Sequence, residues 1–443
     1  MTAISGWGRY PAAETILSTP RSLDAARKAM AGAQGGIARG LGRAYGDAAI
    51  GAKQTFQISA LDRVRAFDAT TGLLTAEAGL SLAELIAVFL PLGFFPPVVP
   101  GTKQVTLGGA VAADVHGKNH HRDGGFGDHV ESLLIATSGG ELVRLSPAMD
   151  PELFLATIGG MGLTGTIVEV TLRLRRVETG WIRRQTLVAR NITAALAALD
   201  AADTAQYSVA WIDTVANGAD LGRSLIFQGE HASLADLDGP ASRARFPVTG
   251  SRLFSVPCNL PAWTLNRWSV GAFNAAYFRS GASQARNARL MPAVSYFFPL
   301  DRIGAWNRVY GKRGLVQHQS VIPIETAPTA LPEMLSLVAR RGDASFLTVL
   351  KKLGPGRGLM SFPLPGYTLA LDFAMKPGLL AFLDDLDRIV VAAGGRIYLA
   401  KDSRQSRATF EASYRALPRF RTAKNSLDPH GRIASRLSQR LGI

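Results

Sequence analysis

The sequence predicts an α+β protein with a first domain, an inserted second domain and a tail that returns to the first. Three observations carry this expectation. Helix-like and strand-like segments mingle throughout residues 1–180. Half of the 46 glycines cluster between residues 32 and 165, and they follow no period. After about residue 180 glycine thins, aromatics increase, and strand-like alternation takes over at 206–213, 315–323, 345–351 and 367–374. The expected boundaries are 1–180, 181–395 and 396–443.

In chain order, residues 21–31 have helical spacing and end near Gly32. Gln34–Arg39 reads as a strand entering a tight glycine loop that runs to Asp47. Short alternating segments follow at 54–60, 63–69 and 73–79. A capping-box pattern, Ser81-x-x-Glu84, then opens a helix. Glycines in the stretch 96–117 leave backbone amides uncovered, as close approach to a phosphate or a flat ring requires. Residues 151–158 read as a helix and 165–175 as a strand. The final part brings a strand at Arg396–Ala400 and arginine-rich helical segments.

Composition narrows the function classes. With 443 residues, 47% hydrophobic and 19% charged, the chain can bury large cores, so disorder and fibres are excluded. One cysteine, Cys258, excludes an intrachain disulfide and a cysteine metal site. The net charge of +15 predicts either a solvated basic face or a surface that meets anions. From Arg396 onward eleven Lys/Arg stand against three Asp/Glu. No aromatic-basic or helix-turn-helix pattern accompanies the charge, which argues against nucleic acid. No signal peptide is visible, so the expected location is the cytoplasm, peripheral contact with the inner membrane included. The uncharged run Leu85–Thr102 holds four prolines and is not a membrane span.

Two motifs invite over-reading. Gly160-Met-Gly-Leu-Thr-Gly165 matches a dinucleotide fingerprint, but that loop needs a strand before it and a helix after it, and here the order is reversed. His116, His120, His121 and His129 fall within fourteen residues. Without HExxH or cysteine they read as catalytic or packing histidines, and no metal is expected. The second-domain strands are more informative. Leu315, Gln317, Gln319 and Val321 share one face; so do Thr368, Ala370 and Asp372, and so do Leu347, Val349 and Lys351. Such strands suit a sheet with a core below and a polar cavity above, or an ordinary half-exposed sheet.

The segments Ala38-Arg-Gly-Leu-Gly-Arg-Ala-Tyr-Gly-Asp47, Pro100–Gly109 and Ala113-Asp-Val-His-Gly-Lys-Asn-His-His121 resemble the flavin-binding half of the vanillyl-alcohol-oxidase family. Gln317–Pro323, Ser361–Gly366 and Ala400-Lys-Asp-Ser-Arg404 extend the resemblance over nearly the whole chain, to the branch that oxidises polyprenyl-phosphoryl ribose. The resemblance implies a two-domain FAD-binding fold of that type with an inserted antiparallel-sheet substrate domain. It implies an FAD site at Ala38, Arg39, Gly40, Leu41, Gly42, Arg43, Ala44, Tyr45, Gly46 and Asp47. A second wall would come from Gly101, Thr106, Leu107, Gly108, Gly109, Ala113, Asp114 and His116, completed by Gly162, Ile167 and Tyr398. His116, Tyr45 and Lys401 match the catalytic centre, and Lys118, Asn307, Gln317, Gln319, Lys351, Ala370 and Lys401 match substrate positions. Where many relatives tether FAD through a Gly-His-Ser loop, this chain has Gly42-Arg43-Ala44, so FAD is expected to be non-covalent. At Ala370, mycobacterial relatives carry a cysteine that nitroaromatic inhibitors trap. The implied partners are a polyprenyl-phosphoryl ribose and an NADH-dependent keto-sugar reductase that completes epimerisation. Another sugar, alditol or aldonolactone oxidase on the same scaffold is the alternative.

Overall fold

A computed structural model describes residues 1–248, 254–261, 264–285, 287–342 and 347–443. The first 180 residues form two main sheets, beside a short antiparallel pairing of Phe94–Phe95 with Arg175–Arg176. One is mixed, in the order Thr2–Ser5, Ala12–Ser18, Gln54–Gln57, Gly36–Arg39, with its last two pairings parallel. The other is antiparallel, in the order Val64–Asp68, Leu73–Glu77, Thr166–Arg173, Val130–Ala136, Leu142–Leu145. Helix Leu23–Ala31 starts at Ser22, whose hydroxyl accepts from the Ala25 amide. Ser81 and Glu84 form the expected reciprocal box at the start of Leu82–Phe89. Helix Pro151–Thr157 precedes the Gly160–Gly165 turn and strand Thr166–Arg173 follows it, the reverse of a dinucleotide loop.

From Trp181 the chain builds one eight-stranded antiparallel sheet. Its order is Arg289–Pro292, Trp181–Ala189, Ser224–His231, Tyr207–Ile212, Thr348–Leu353, Gly366–Ala374, Leu315–Pro323, Arg396–Ile397. Period two sorts its faces. Val316, Ile322, Leu350, Leu369, Leu371 and Phe373 join a buried cluster with helices Ile192–Ala201, Ala327–Arg341 and Leu379–Ala392. Gln317, Gln319, Lys351, Ala370 and Asp372 point to the opposite side, where Gln319 faces Ala370 and Gln317 faces Asp372 in register.

Three sequence expectations need adjustment. The strand expected at Arg396–Ala400 ends at Ile397, because the amides of Lys401 and Asp402 both turn back to the Tyr398 carbonyl. Those two strand residues edge the large sheet, so the chain leaves that sheet just after the expected boundary. The strand expected from 345 begins at Thr348; residues 345–346 lie outside the described residues. Beyond them, helices Arg407–Ser413, Leu417–Leu427 and Arg436–Leu441 bury Phe410, Phe420 and Leu437 in the core of the first 180 residues.

Candidate active site

The loop after strand Gly36–Arg39 is shaped by close approaches that only glycine permits. A Cβ on Gly40 would sit 2.2 Å from Thr106 Oγ1, and one on Gly46 would sit 2.0 Å from the Asp402 carbonyl oxygen. Gly42 adopts φ +65°. The Tyr45 amide donates to Ala400 O at 2.9 Å, joining the loop to the C-terminal segment. Among the described residues, the amides of Leu41, Gly42, Arg43, Ala44 and Gly46 donate to no protein acceptor, whereas the Asp47 amide serves its own carboxylate. Five unengaged amides on one glycine loop fit the pyrophosphate of a dinucleotide such as FAD. The short helix Leu107–Ala112 offers no such donors: its first amides serve Leu80 O, Ala78 O and Thr106 Oγ1. Gly101 is exposed, and a Cβ there would meet nothing within 4 Å. Gly162, at φ +77°, and buried Ile167 lie on the neighbouring turn and strand.

His116, Gln319, Lys351 and Thr368 form one hydrogen-bonded group. The Gln319 amide lies 2.9 Å from His116 Nε2 and 3.1 Å from Thr368 Oγ1, and Lys351 Nζ lies 3.3 Å from His116 Nδ1. Burial first, then Lys351, His120 and Lys401, push the His116 pKa well below its usual value, so the ring is neutral. A neutral imidazole has one N–H. With a charged Lys351 donating to Nδ1, that proton sits on Nε2 and Gln319 must present its oxygen. The ring packs against both Phe362 and Tyr398, which stack on each other at 4.5 Å. Tyr398 is fixed by its hydroxyl donating to Ala113 O at 2.9 Å.

Lys401 Nζ lies 3.8 Å above the Tyr45 ring. Burial lowers its pKa to about 8, against an opposing pull from Asp372. Asp372 accepts from Gln317, with Tyr310 Oη at 3.4 Å, and burial raises it to about 7. Tyr45, raised well above 10 chiefly by burial, stays a phenol. Lys351 and Lys118 are each pushed down to about 7 by burial, then by neighbouring cations. Lys118 donates to Tyr296 O and lies 4.0 Å over that ring. Among the described residues neither lysine has a carboxylate in ion-pair reach. Two half-buried cations without acids make a site for an anion.

Other positions sit differently. Asn307 donates to Trp7 O at 3.1 Å and accepts from Arg9 at 3.3 Å, so its amide braces the N-terminal segment. Arg39 donates to Ser5 O and Ala49 O, bracing the loop from behind. Arg43 stacks on Trp7 at 4.1 Å, and among the described residues its buried Nε has no hydrogen-bond partner. Asp114 accepts from Ser361 and the Gly127 amide and holds the His116 loop. His120 accepts from the Gly354 amide, while His121 and His129 meet backbone carbonyls. Among the described residues no three His, Cys, Asp or Glu converge. Sequence reasoning missed Arg440, which bridges Asp47 at 2.8 Å and Asp402 at 2.9 Å and clasps the two site segments together. Its only signal was its place in the basic tail. Phe362 was also missed as a ring partner of His116.

The comparisons agree with this geometry. A family model described as an FAD binding domain matches residues 16–146. The chain is 38% identical to a decaprenylphosphoryl-beta-D-ribose oxidase of Mycolicibacterium smegmatis, across 99% of this chain and 97% of the relative. It is 35% identical to an uncharacterized Streptomyces coelicolor protein, across 82% of this chain and all of the relative. An L-galactono-1,4-lactone dehydrogenase of Oryza sativa is 27% identical over 39% of this chain and 30% of its own length. The chain is an FAD-dependent oxidoreductase and belongs to the decaprenylphosphoryl-β-D-ribose oxidase family.

Proposed function

We propose that this chain oxidises the 2-hydroxyl of a polyprenyl-phosphoryl-β-D-ribose to the 2-keto sugar, with FAD held non-covalently. A separate NADH-dependent reductase then completes epimerisation to the arabinose donor. The eight-stranded sheet is the substrate domain, and its polar face carries the sugar. The observation that carries the reading is the pair Lys118 and Lys351 beside His116: cations without acids, next to a neutral base. A phosphodiester supplies the missing negative charge, and the ribose then lies between that pair and Lys401. Full-length similarity to the ribose oxidase, against partial similarity to the lactone dehydrogenase, supports the polyprenyl-phosphate substrate over a lactone.

Bound FAD supplies the two-electron sink that takes the hydride from carbon 2. The chain's residues handle position and the proton. Lys351 and Lys118 grip the phosphate, and Gln319 orients the ring through its hydrogen bonds. Lys401, charged below about pH 8, stabilises oxyanion character on the hydroxyl being oxidised. Tyr45 cannot be the base, because its phenol stays protonated. His116 is held neutral by burial and by its cationic neighbours, and takes the proton from the 2-hydroxyl once substrate displaces one ring contact. Anaerobic bleaching of the yellow protein by farnesyl-phosphoryl ribose tests the assignment. Bleaching that disappears with the 2-deoxy analogue supports it; bleaching by free sugars or lactones alone refutes it.

A further inference from the structure

Residues 239–300 contain seven arginines and no Asp, Glu, Lys or His. Among the described residues, all four exposed aromatic side chains lie in this stretch: Phe254 (58% exposed), Trp268 (78%), Phe273 (47%) and Tyr277 (39%). Three of them ride on one helix, Arg267–Ser283, whose Arg267 and Arg279 are also exposed. All four keep more than a third of their surface in water, although Tyr277 also packs on buried Trp211. The helix is anchored elsewhere on its circumference: buried Asn274 donates to Asp213 at 2.7 Å, and at Gly281 a Cβ would meet Leu225 at 2.1 Å.

The helix is continuous with the active site. It lies on the same side of the eight-stranded sheet as Gln319 and Lys351. Phe273 stacks on Tyr277, and Tyr277 meets Trp211 edge-on at 4.8 Å. Trp211 pairs in register with Val349, two residues from Lys351. At the other end, Arg184 lies 3.4 Å from Gln284 and close enough to Lys118 to lower its pKa. A row of cations therefore runs from the reaction centre to the end of this aromatic helix.

We infer that the helix Arg267–Ser283, with Phe254, is the surface by which the protein docks on an anionic phospholipid bilayer. Arginines pair with headgroup phosphates, and aromatic rings settle at the headgroup level while the fold stays outside. A water-soluble partner protein explains the rings but not a stretch free of acids. The inference rests on the lipid-linked substrate proposed above, because a polyprenyl tail has to stay in a membrane while its phosphate reaches Lys118.

The test uses the FAD-loaded full chain and vesicles of phosphatidylcholine with or without phosphatidylglycerol. Co-sedimentation should occur with phosphatidylglycerol vesicles only and should fade with salt. Trp268→Ser with Phe273→Ser, and separately Arg267→Gln with Arg279→Gln, should each weaken it by about tenfold or more. Flavin bleaching by soluble farnesyl-phosphoryl ribose should stay at the parent rate in both, which also shows that they fold. No sedimentation, or sedimentation the variants leave intact, overturns the docking surface. A self-association lost in the same variants, without vesicle binding, assigns the patch to a second copy and also overturns it. Vesicle binding without any bleaching refutes the proposed function and leaves docking standing.

Discussion

Replacing Lys351 by methionine should make the protein more stable and a worse enzyme. Burial lowers the lysine's pKa from 10.5 to about 7. At about 1.4 kcal/mol per tenfold, that is roughly 4–5 kcal/mol against the charged form. The side chain keeps some contact with water, which we allow to halve the figure to about 2. Methionine removes this cost and keeps the volume, while the lost contact to His116 takes back about 1 kcal/mol. The net is a gain of about 1 kcal/mol, read as a Tm a few degrees higher near pH 7. Because the folded-state pKa lies below the unfolded one, the cost is fully present below about pH 7 and fades toward pH 10.5. The Tm gap between the variant and the parent should close over that window. Catalytically, losing one charge-assisted contact to a phosphate costs about 1.5–3 kcal/mol, or about 10- to 150-fold in KM. Thermal melts of the FAD-loaded proteins across pH, with flavin-bleaching titrations, read both effects. A variant that is less stable at pH 7, or whose KM is unchanged, refutes the view of Lys351 as an uncompensated cation awaiting a phosphate.

Lys401→Met should retain FAD but lower the bleaching rate by about 10²–10³-fold, the scale of a lost oxyanion donor. In the parent enzyme, bleaching should fall as pH rises through about 8, where Lys401 loses its charge; Lys401→Arg should abolish that limb. Arg440→Leu leaves Asp47 and Asp402 buried without their cation and should cost about 3–5 kcal/mol, with FAD lost early in a thermal scan. Adding Asp47→Asn with Asp402→Asn should recover part of the loss. Acid precipitation should leave the flavin in the supernatant, and mass spectrometry after a nitroaromatic inhibitor and substrate should find no adduct at Ala370.

Legibility from sequence followed the range of each interaction. The helix cap at Ser81 is local, and so were the face assignments of Gln317, Gln319 and Asp372, because strand parity is a two-residue rule. The glycine loop was legible as a loop. Which amides it leaves unengaged was not, since that depends on Ala400 and Asp402 arriving from the far end of the chain. The Arg440 clasp spans 393 residues to Asp47, and no periodicity marks such a contact. Asn307 went the same way: its motif resembles a substrate position, yet its amide is engaged by Trp7 and Arg9, which only the folded N-terminus brings near.

The same long-range contacts explain how three distant segments are joined above the polar face of the large sheet. Residues 40–47 carry the unengaged amides, residues 114–118 carry His116 and Lys118, and residues 398–402 carry Tyr398 and Lys401. Each segment touches the next: Tyr45 N–H to Ala400 O, Tyr398 Oη to Ala113 O, and Arg440 across Asp47 and Asp402. These ties are hydrogen bonds and ion pairs, whereas the sheet face beneath them carries unsatisfied charge. Rigidity is thus concentrated where the cofactor is held, and electrostatic cost where the substrate's phosphate must enter. It follows that stabilising substitutions should cluster at Lys118 and Lys351 and cost turnover, while substitutions in the clasp should cost FAD binding first. A scan in which clasp variants kept FAD but lost substrate affinity would reverse that division.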